Sequence, residues 1–143
     1  MMRPIRILLV EDNPGDADLI RDTLEESAHR LDITVIGDGA EAVAYLLRRP
    51  APDEADTPLP DLVLLDLNLP KMSGHDVLSE ARRSQDLRSL PIIVVTSSDA
   101  ASDIVTSYTL GANCYVTKPG ELVAFQTAIR ALGAFWLSIA KLP

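Results

Sequence analysis

Apolar residues in this chain come in short dense blocks. IRILLV (5–10), DLVLLD (61–66), PIIVVT (91–96) and NCYVTK (113–118) are rich in Val, Ile and Leu, and DITVIGD (32–38) is a weaker fifth. None alternates cleanly, which fits parallel strands covered on both faces. Helical patterns separate the blocks. Over 14–28, Ala17, Ile20, Leu24 and Ala28 share one face, while acids and Arg21 take the other. Asn13-Pro14 suits the start of that helix, with Pro14 near its first position. Further helices are predicted over 39–49, 74–85, 99–110 (stopped by Gly111) and 121 to about 140.

Strand and helix thus alternate five times, which predicts a flavodoxin-like, doubly wound α/β fold. Its five-stranded parallel sheet would carry helices on both faces. RRPAPDEADTPLPD, with prolines at 50, 52, 58 and 60, reads as an exposed insertion near 50–60, because too little core precedes it to fold alone. The 143 residues are expected to form one domain, 1–143, ending in an extension near 134–143. In the last helix Leu122, Phe125, Ile129, Leu132 and Trp136 form the predicted core stripe. Ala124, Ala128, Ala131 and Phe135 form a second apolar face, wider than one buried contact needs and suited to a second copy of the chain.

Charge narrows the functions. A net charge of −8, with thirteen scattered Lys and Arg, argues against nucleic acid, which requires clustered basic residues. The single cysteine, Cys114, excludes an internal disulfide and a cysteine-based metal site. No apolar run approaches the roughly 20 residues of a membrane span, and no signal-peptide pattern opens the chain, so a cytoplasmic location without membrane contact is expected. His29 and His75 lack evident sequence partners and are expected on the surface.

In doubly wound sheets ligands gather beyond the carboxyl ends of the strands. Here those ends carry Glu11-Asp12, Asp66, Thr96-Ser97 and Lys118-Pro119. A carboxylate such as Asp66, directly after Leu62-Val63-Leu64-Leu65, is costly unless a cation meets it. Lys118 and a metal held by Glu11 and Asp12 could do so. Carboxylates without His or Cys suit a hard divalent ion, Mg²⁺ or Mn²⁺. Such an ion beside a lone aspartate, a lysine and a hydroxyl suits phosphoryl transfer to the carboxylate. No GxxxxGK[ST] or GxGxxG loop is present, so the phosphoryl donor must bring its own binding apparatus.

The ordered set Glu11-Asp12, Asp66, Thr96 and Lys118-Pro119, with DLNLPKMSG after the acceptor, resembles the receiver domain of two-component response regulators over nearly the whole chain. The spacings agree: 96 − 66 = 30 residues from acceptor to hydroxyl and 115 − 96 = 19 from hydroxyl to Tyr115. The resemblance implies that Asp66 accepts phosphate from a phosphohistidine, and that Glu11, Asp12, Asp66 and the backbone carbonyl of Asn68 hold the metal. It implies that Lys118 pairs with a phosphoryl oxygen through a cis bond to Pro119, and that Thr96 and Tyr115 form the switch. Glu11 stands where the family often has Asp and, one methylene longer, could reach the metal through water. The four-proline insertion, NCYVTKP and the tail FWLSIAKLP are similar to single-domain regulators paired with bacterial phytochrome kinases. That implies a bacteriophytochrome histidine kinase as partner. The second apolar face of the last helix reads as part of a homodimer surface through the fourth helix, fifth strand and fifth helix, the alternative being a generously buried helix covered by the tail. Leu19, opposite the buried stripe of the first helix, is a candidate kinase contact.

On this reading the protein catalyses only its own phosphorylation and dephosphorylation, and signals by a conformational or dimer-surface change or by onward phosphate transfer. Two rivals stand beside it. A docking module indifferent to phosphate does not need intact Asp66, Thr96 and Lys118. A phosphohydrolase of the haloacid dehalogenase type requires a second aspartate two residues after the nucleophile, where Asn68 stands.

Overall fold

The computed structural model describes residues 3–48 and 59–143. Most of the proline-rich insertion lies outside the described residues. The strands are β1 (Ile5–Val10), β2 (Leu31–Ile36), β3 (Leu62–Leu65), β4 (Ile92–Thr96) and β5 (Cys114–Thr117). They form one parallel sheet in the order β2-β1-β3-β4-β5. Every residue of β3 and β4 is buried, which explains why their sequences do not alternate. β2 lies at the sheet edge with only Ile36 buried, hence its weaker signal.

The helices are α1 (Pro14–Leu24), α2 (Gly39–Leu47), α3 (Gly74–Arg83), α4 (Ala101–Thr109) and α5 (Leu122–Ala134). Ala17, Ile20 and Leu24 of α1 and Phe125, Ile129 and Leu132 of α5 pack on Ile7, Leu9, Leu62, Leu64, Ile93 and Val95. On the opposite face, Leu46 of α2 and Val77, Leu78 and Ala81 of α3 cover Leu8, Val10, Val63, Leu65, Ile92 and Val94. Side chains cap four of the helices: Asn13, Asp38, Ser73 and Glu121 each accept backbone N–H groups of the first turn. The exception is α4, which starts at Ala100 with no side-chain cap and buries only Ser107.

Several expectations need correction. α1 ends at Leu24 rather than Ala28, because Glu26 and Ser27 donate to the carbonyls three residues back (Thr23 and Leu24) and the α-helical ladder stops. Leu122 is 60% exposed and is not a core residue. At the other end of this helix, Phe135–Ile139 form a π-helical turn closed by Ala140 N–H to Phe135 O at 2.7 Å. The wider turn shifts the register, so Leu137 enters the core and Trp136 is only half-buried. Leu122–Ile139, with mean hydropathy 1.5, is long and apolar enough to cross a membrane by length and composition alone. Phe125, Ile129, Leu132 and Leu137 make it a core helix of this sheet. Leu19 packs half-buried against the α1–α5 core, so it is not opposite to it. Both histidines have partners: His29 Nε2 lies 3.2 Å from Ser138 Oγ, and half-buried His75 Nε2 lies 3.0 Å from Ser107 Oγ of α4.

The loop after β3 is fastened by close packing. Gly74 donates to Leu67 O at 2.9 Å, and a Cβ at residue 74 would fall 2.2 Å from the carbonyl oxygen of Asp66. Backbone atoms cannot yield as side chains do, so Gly74→Ala must displace the loop that carries Asp66. We expect it to lower unfolding free energy by about 1–3 kcal/mol in urea titration; an unchanged midpoint would contradict this packing.

Candidate functional site

The carboxyl ends of β1, β3, β4 and β5 converge on one rim. β1 delivers Glu11 and Asp12, and β3 delivers Asp66, whose N–H bonds Val10 O at 3.0 Å. β4 ends in Thr96, and the N–H of Lys118, just beyond β5, bonds Thr96 O at 2.7 Å. One carboxylate oxygen from each of Glu11, Asp12 and Asp66 lies within 4.8 Å of the others, so the three could hold one metal ion. Glu11 and Asp66 are buried and Asp12 is exposed, giving the cluster a dry floor and a wet mouth. All-oxygen donors of this kind fit Mg²⁺ or Mn²⁺.

Lys118 reaches two of the same acids, with its side chain 7% exposed. Its Nζ donates to Asp66 Oδ2 at 3.0 Å, to Asp16 Oδ2 at 2.9 Å and to Glu11 Oε1. The second oxygens of two of these acids accept backbone hydrogen bonds, Asn68 N–H to Asp66 Oδ1 at 3.1 Å and Asn13 N–H to Glu11 Oε2 at 3.1 Å. No cis peptide bond occurs among the described residues, so the Lys118–Pro119 bond is trans, contrary to expectation. Trans is the ordinary state of X–Pro bonds, and Lys118 reaches all three carboxylates with it.

The two buried acids divide their ionisation. Burial pushes the Asp66 carboxyl up, but hydrogen bonds from Lys118 and the Asn68 N–H outweigh it and hold the group below its usual range. Glu11 goes the other way. Burial raises it to about 7 and Asp66 adds repulsion, against the pull of Lys118 and the Asn13 N–H. Burial lowers Lys118, yet its hydrogen bonds to Glu11, Asp16 and Asp66 prevail, and it stays firmly protonated. A proton on Glu11 thus relieves a crowded anionic pocket, a role that a metal cation could take over.

Thr96 is fully buried, and its hydroxyl makes no hydrogen bond. It lies near enough to Asp66 to stabilise the carboxylate slightly, but without bonding geometry. Buried orphan hydroxyls are uncommon, and one beside a charged carboxylate is a donor without an acceptor. Half-buried Tyr115 donates from its hydroxyl to Ser98 O at 2.7 Å, and its backbone N–H donates to the Tyr108 hydroxyl of α4 at 3.1 Å. Exposed Asn68 stands on the rim beside Asp66.

Glu11, Asp12, Asp66, Thr96 and Lys118, marked by the sequence, thus meet at one rim, and one further group joins them there. Asp16, in the first turn of α1, was counted among the solvent-facing acids, and only the capped geometry of that turn reveals its reach to Lys118.

Comparison with known proteins agrees with the geometry. The response regulator receiver domain family matches residues 7–130. Response regulator Rcp1 of Synechocystis sp. (strain ATCC 27184 / PCC 6803 / Kazusa) is 37% identical over 140 residues, covering 98% of this chain and 94% of that protein. The Mn²⁺-bound structure of Rcp1 superimposes with a TM-score of 0.91, covering 98% of this chain and 99% of that one. The phosphorylated cyanobacterial phytochrome response regulator RcpA is 40% identical with a TM-score of 0.90 and covers 99% of both chains. The bacteriophytochrome response regulator AtBRR is 40% identical with a TM-score of 0.70, covering 98% of this chain and 100% of that one. With its five-stranded parallel sheet, its acidic rim and its rim lysine, this chain belongs to the response regulator receiver domain family.

Proposed function

We propose that this protein is a stand-alone response regulator that accepts a phosphoryl group on Asp66 from the phosphohistidine of a bacteriophytochrome-type sensor kinase. The observation that carries this reading is the buried, ionised Asp66 held between Lys118 and the unpartnered hydroxyl of Thr96. Asp66 Oδ attacks phosphorus as the N–P bond of the donor breaks, and the donor imidazole keeps the electron pair. Lys118 donates to one phosphoryl oxygen, and the Thr96 hydroxyl gains its missing acceptor in another. Glu11, Asp12, Asp66 and the carbonyl of Asn68 would hold Mg²⁺. Bound there, the cation supplies charge neutralisation for the phosphoryl oxygens. Water later hydrolyses the acyl phosphate. The kinase class is inferred from RcpA, Rcp1 and AtBRR, similar over nearly their whole lengths.

Output follows from the switch residues. Thr96 turning to the phosphate draws on the segment where Ser98 accepts from Tyr115, so α4 and β5 shift together. Val105 and Tyr108 of α4 and Leu122 and Val123 of α5 are exposed. Beyond them Ala131 and Phe135 are exposed and Ala124 and Ala128 half-buried. This apolar surface supports a homodimer through α4, β5 and α5, in a cytoplasmic protein that modifies only itself. Signalling then runs through that surface or by onward phosphate transfer, without nucleic acid.

Three measurements test this. Incubated with Mg²⁺ and acetyl phosphate, the intact protein should gain one phosphoryl mass, which Asp66→Asn abolishes. Thr96→Val should slow labelling at least about tenfold, yet raise unfolding free energy by ~1 kcal/mol, because it removes a buried unpaired hydroxyl. Labelling that survives Asp66→Asn would reject the acceptor, and turnover of varied phosphate esters would favour a hydrolase. Second, Glu11 titrates near 7 and must lose its proton to bind metal, so Mg²⁺ affinity should rise from pH 6 to pH 8 with proton release by calorimetry. A flat profile would contradict the raised carboxyl. Third, sedimentation at micromolar concentration should show a dimer that Phe135→Glu dissociates; a monomeric wild type rejects the interface.

A further inference from the structure

The Lys118 ammonium has three N–H donors and three acceptors: Glu11 Oε1, Asp66 Oδ2 at 3.0 Å and Asp16 Oδ2 at 2.9 Å. The first two belong to the cluster that could hold a metal ion, and Asp66 is also the proposed acceptor. In the working state both have other demands on their oxygens. Asp16 lies outside that set. It comes from α1, a different element from those that deliver Glu11 and Asp66, and its backbone is fixed by the Asn13 side chain, which accepts the Asp16 N–H at 3.0 Å.

A carboxylate in the first turn of a helix is often no more than a partner for the helix dipole. Here the carboxylate turns to a lysine 102 residues away, whose side chain is 7% exposed. Asp16 itself is one-third exposed on its side chain, so it stands between solvent and the ammonium.

Building on the phosphoacceptor reading, we propose that Asp16 is a positioning residue: it tethers the Lys118 ammonium at the rim while Glu11 and Asp66 turn to metal and phosphoryl group. A four-bond lysine side chain has many rotamers. One acceptor that does not change partners keeps the ammonium in place, and the two remaining N–H groups point toward the incoming phosphoryl oxygens. Without it, Lys118 would follow whichever acid remained free, or leave for solvent.

The test uses the full chain as wild type, Asp16→Ala and Asp16→Asn, with two readouts. In the Mg²⁺-saturated protein, where Glu11 and Asp66 face the cation, the ¹⁵N-detected Lys118 ammonium signal, assigned by its absence in Lys118→Ala, should exchange slowly with water in the wild type. It should broaden or vanish in Asp16→Ala and persist, weakened, in Asp16→Asn, which keeps an acceptor oxygen. With saturating Mg²⁺, acetyl phosphate labelling should fall about tenfold in Asp16→Ala, or ~1.4 kcal/mol, while half-saturating Mg²⁺ changes little. An unaltered ammonium signal in Asp16→Ala overturns the tether, as does wild-type labelling by that variant. A loss explained wholly by weaker Mg²⁺ binding also overturns it. Failure of the wild type to label at all refutes the phosphoacceptor reading instead, and the ammonium signal still decides whether Asp16 holds Lys118. If Asp16→Ala does not fold, Asp16→Asn carries both readouts.

Discussion

The site depends on a charge imbalance confined to a small volume. Glu11, Asp16 and Asp66 meet the single ammonium of Lys118, and Asp12 stands at the mouth. One positive charge cannot neutralise so many acids in a region from which water is largely excluded, so the pocket is left anionic and short of cations. The structure relieves the imbalance by letting Glu11 keep a proton near neutral pH while Asp66 stays ionised. That division suits the proposed nucleophile, because Asp66 is the acid left charged. Breaking such a pair by removing one partner costs far more than the intact pair contributes, so Lys118 stabilises the rim through its three ion pairs whatever chemistry it serves.

The scaffold makes the crowding affordable. β1 and β3 are adjacent and parallel, so their ends necessarily deliver Glu11 and Asp66 side by side. β4 and β5 are adjacent too, and their pairing brings Thr96 and Lys118 together. Two core layers hold these strands, and the close approach of Gly74 to the Asp66 carbonyl keeps the loop that carries Asp66 from relaxing away from the lysine. The electrostatic strain at the rim is thus sustained by apolar packing below it.

Much of this was legible in the chain. The aliphatic blocks marked all five strands, in β3 and β4 because burial on both faces removes alternation, and the residues after the blocks ending β1, β3, β4 and β5 lie at the rim. What escaped was set by geometry that a linear pattern does not carry. Asp16 looked like a solvent-facing helix acid until the Asn13 cap aimed it at Lys118. Leu122 matched the helical period but lies beyond what the sheet can cover, and the π-helical turn at 135–139 changed the phase that had assigned Trp136 to the core. The partners of His29 and His75 are serines on distant elements, invisible to local reading.

α4 is the element with least to lose. It has no side-chain cap, buries a single serine, and touches its surroundings through hydroxyls: Ser107 with His75 of α3, and Tyr108 with the backbone of β5. Such bonds can be exchanged one at a time, whereas an interlocked aliphatic face must move all at once or not at all. If the rim gains the charge proposed for it, the strain is relieved first where the molecule yields most easily. On the proposed function, the signal then leaves through this loosely fastened side of the sheet.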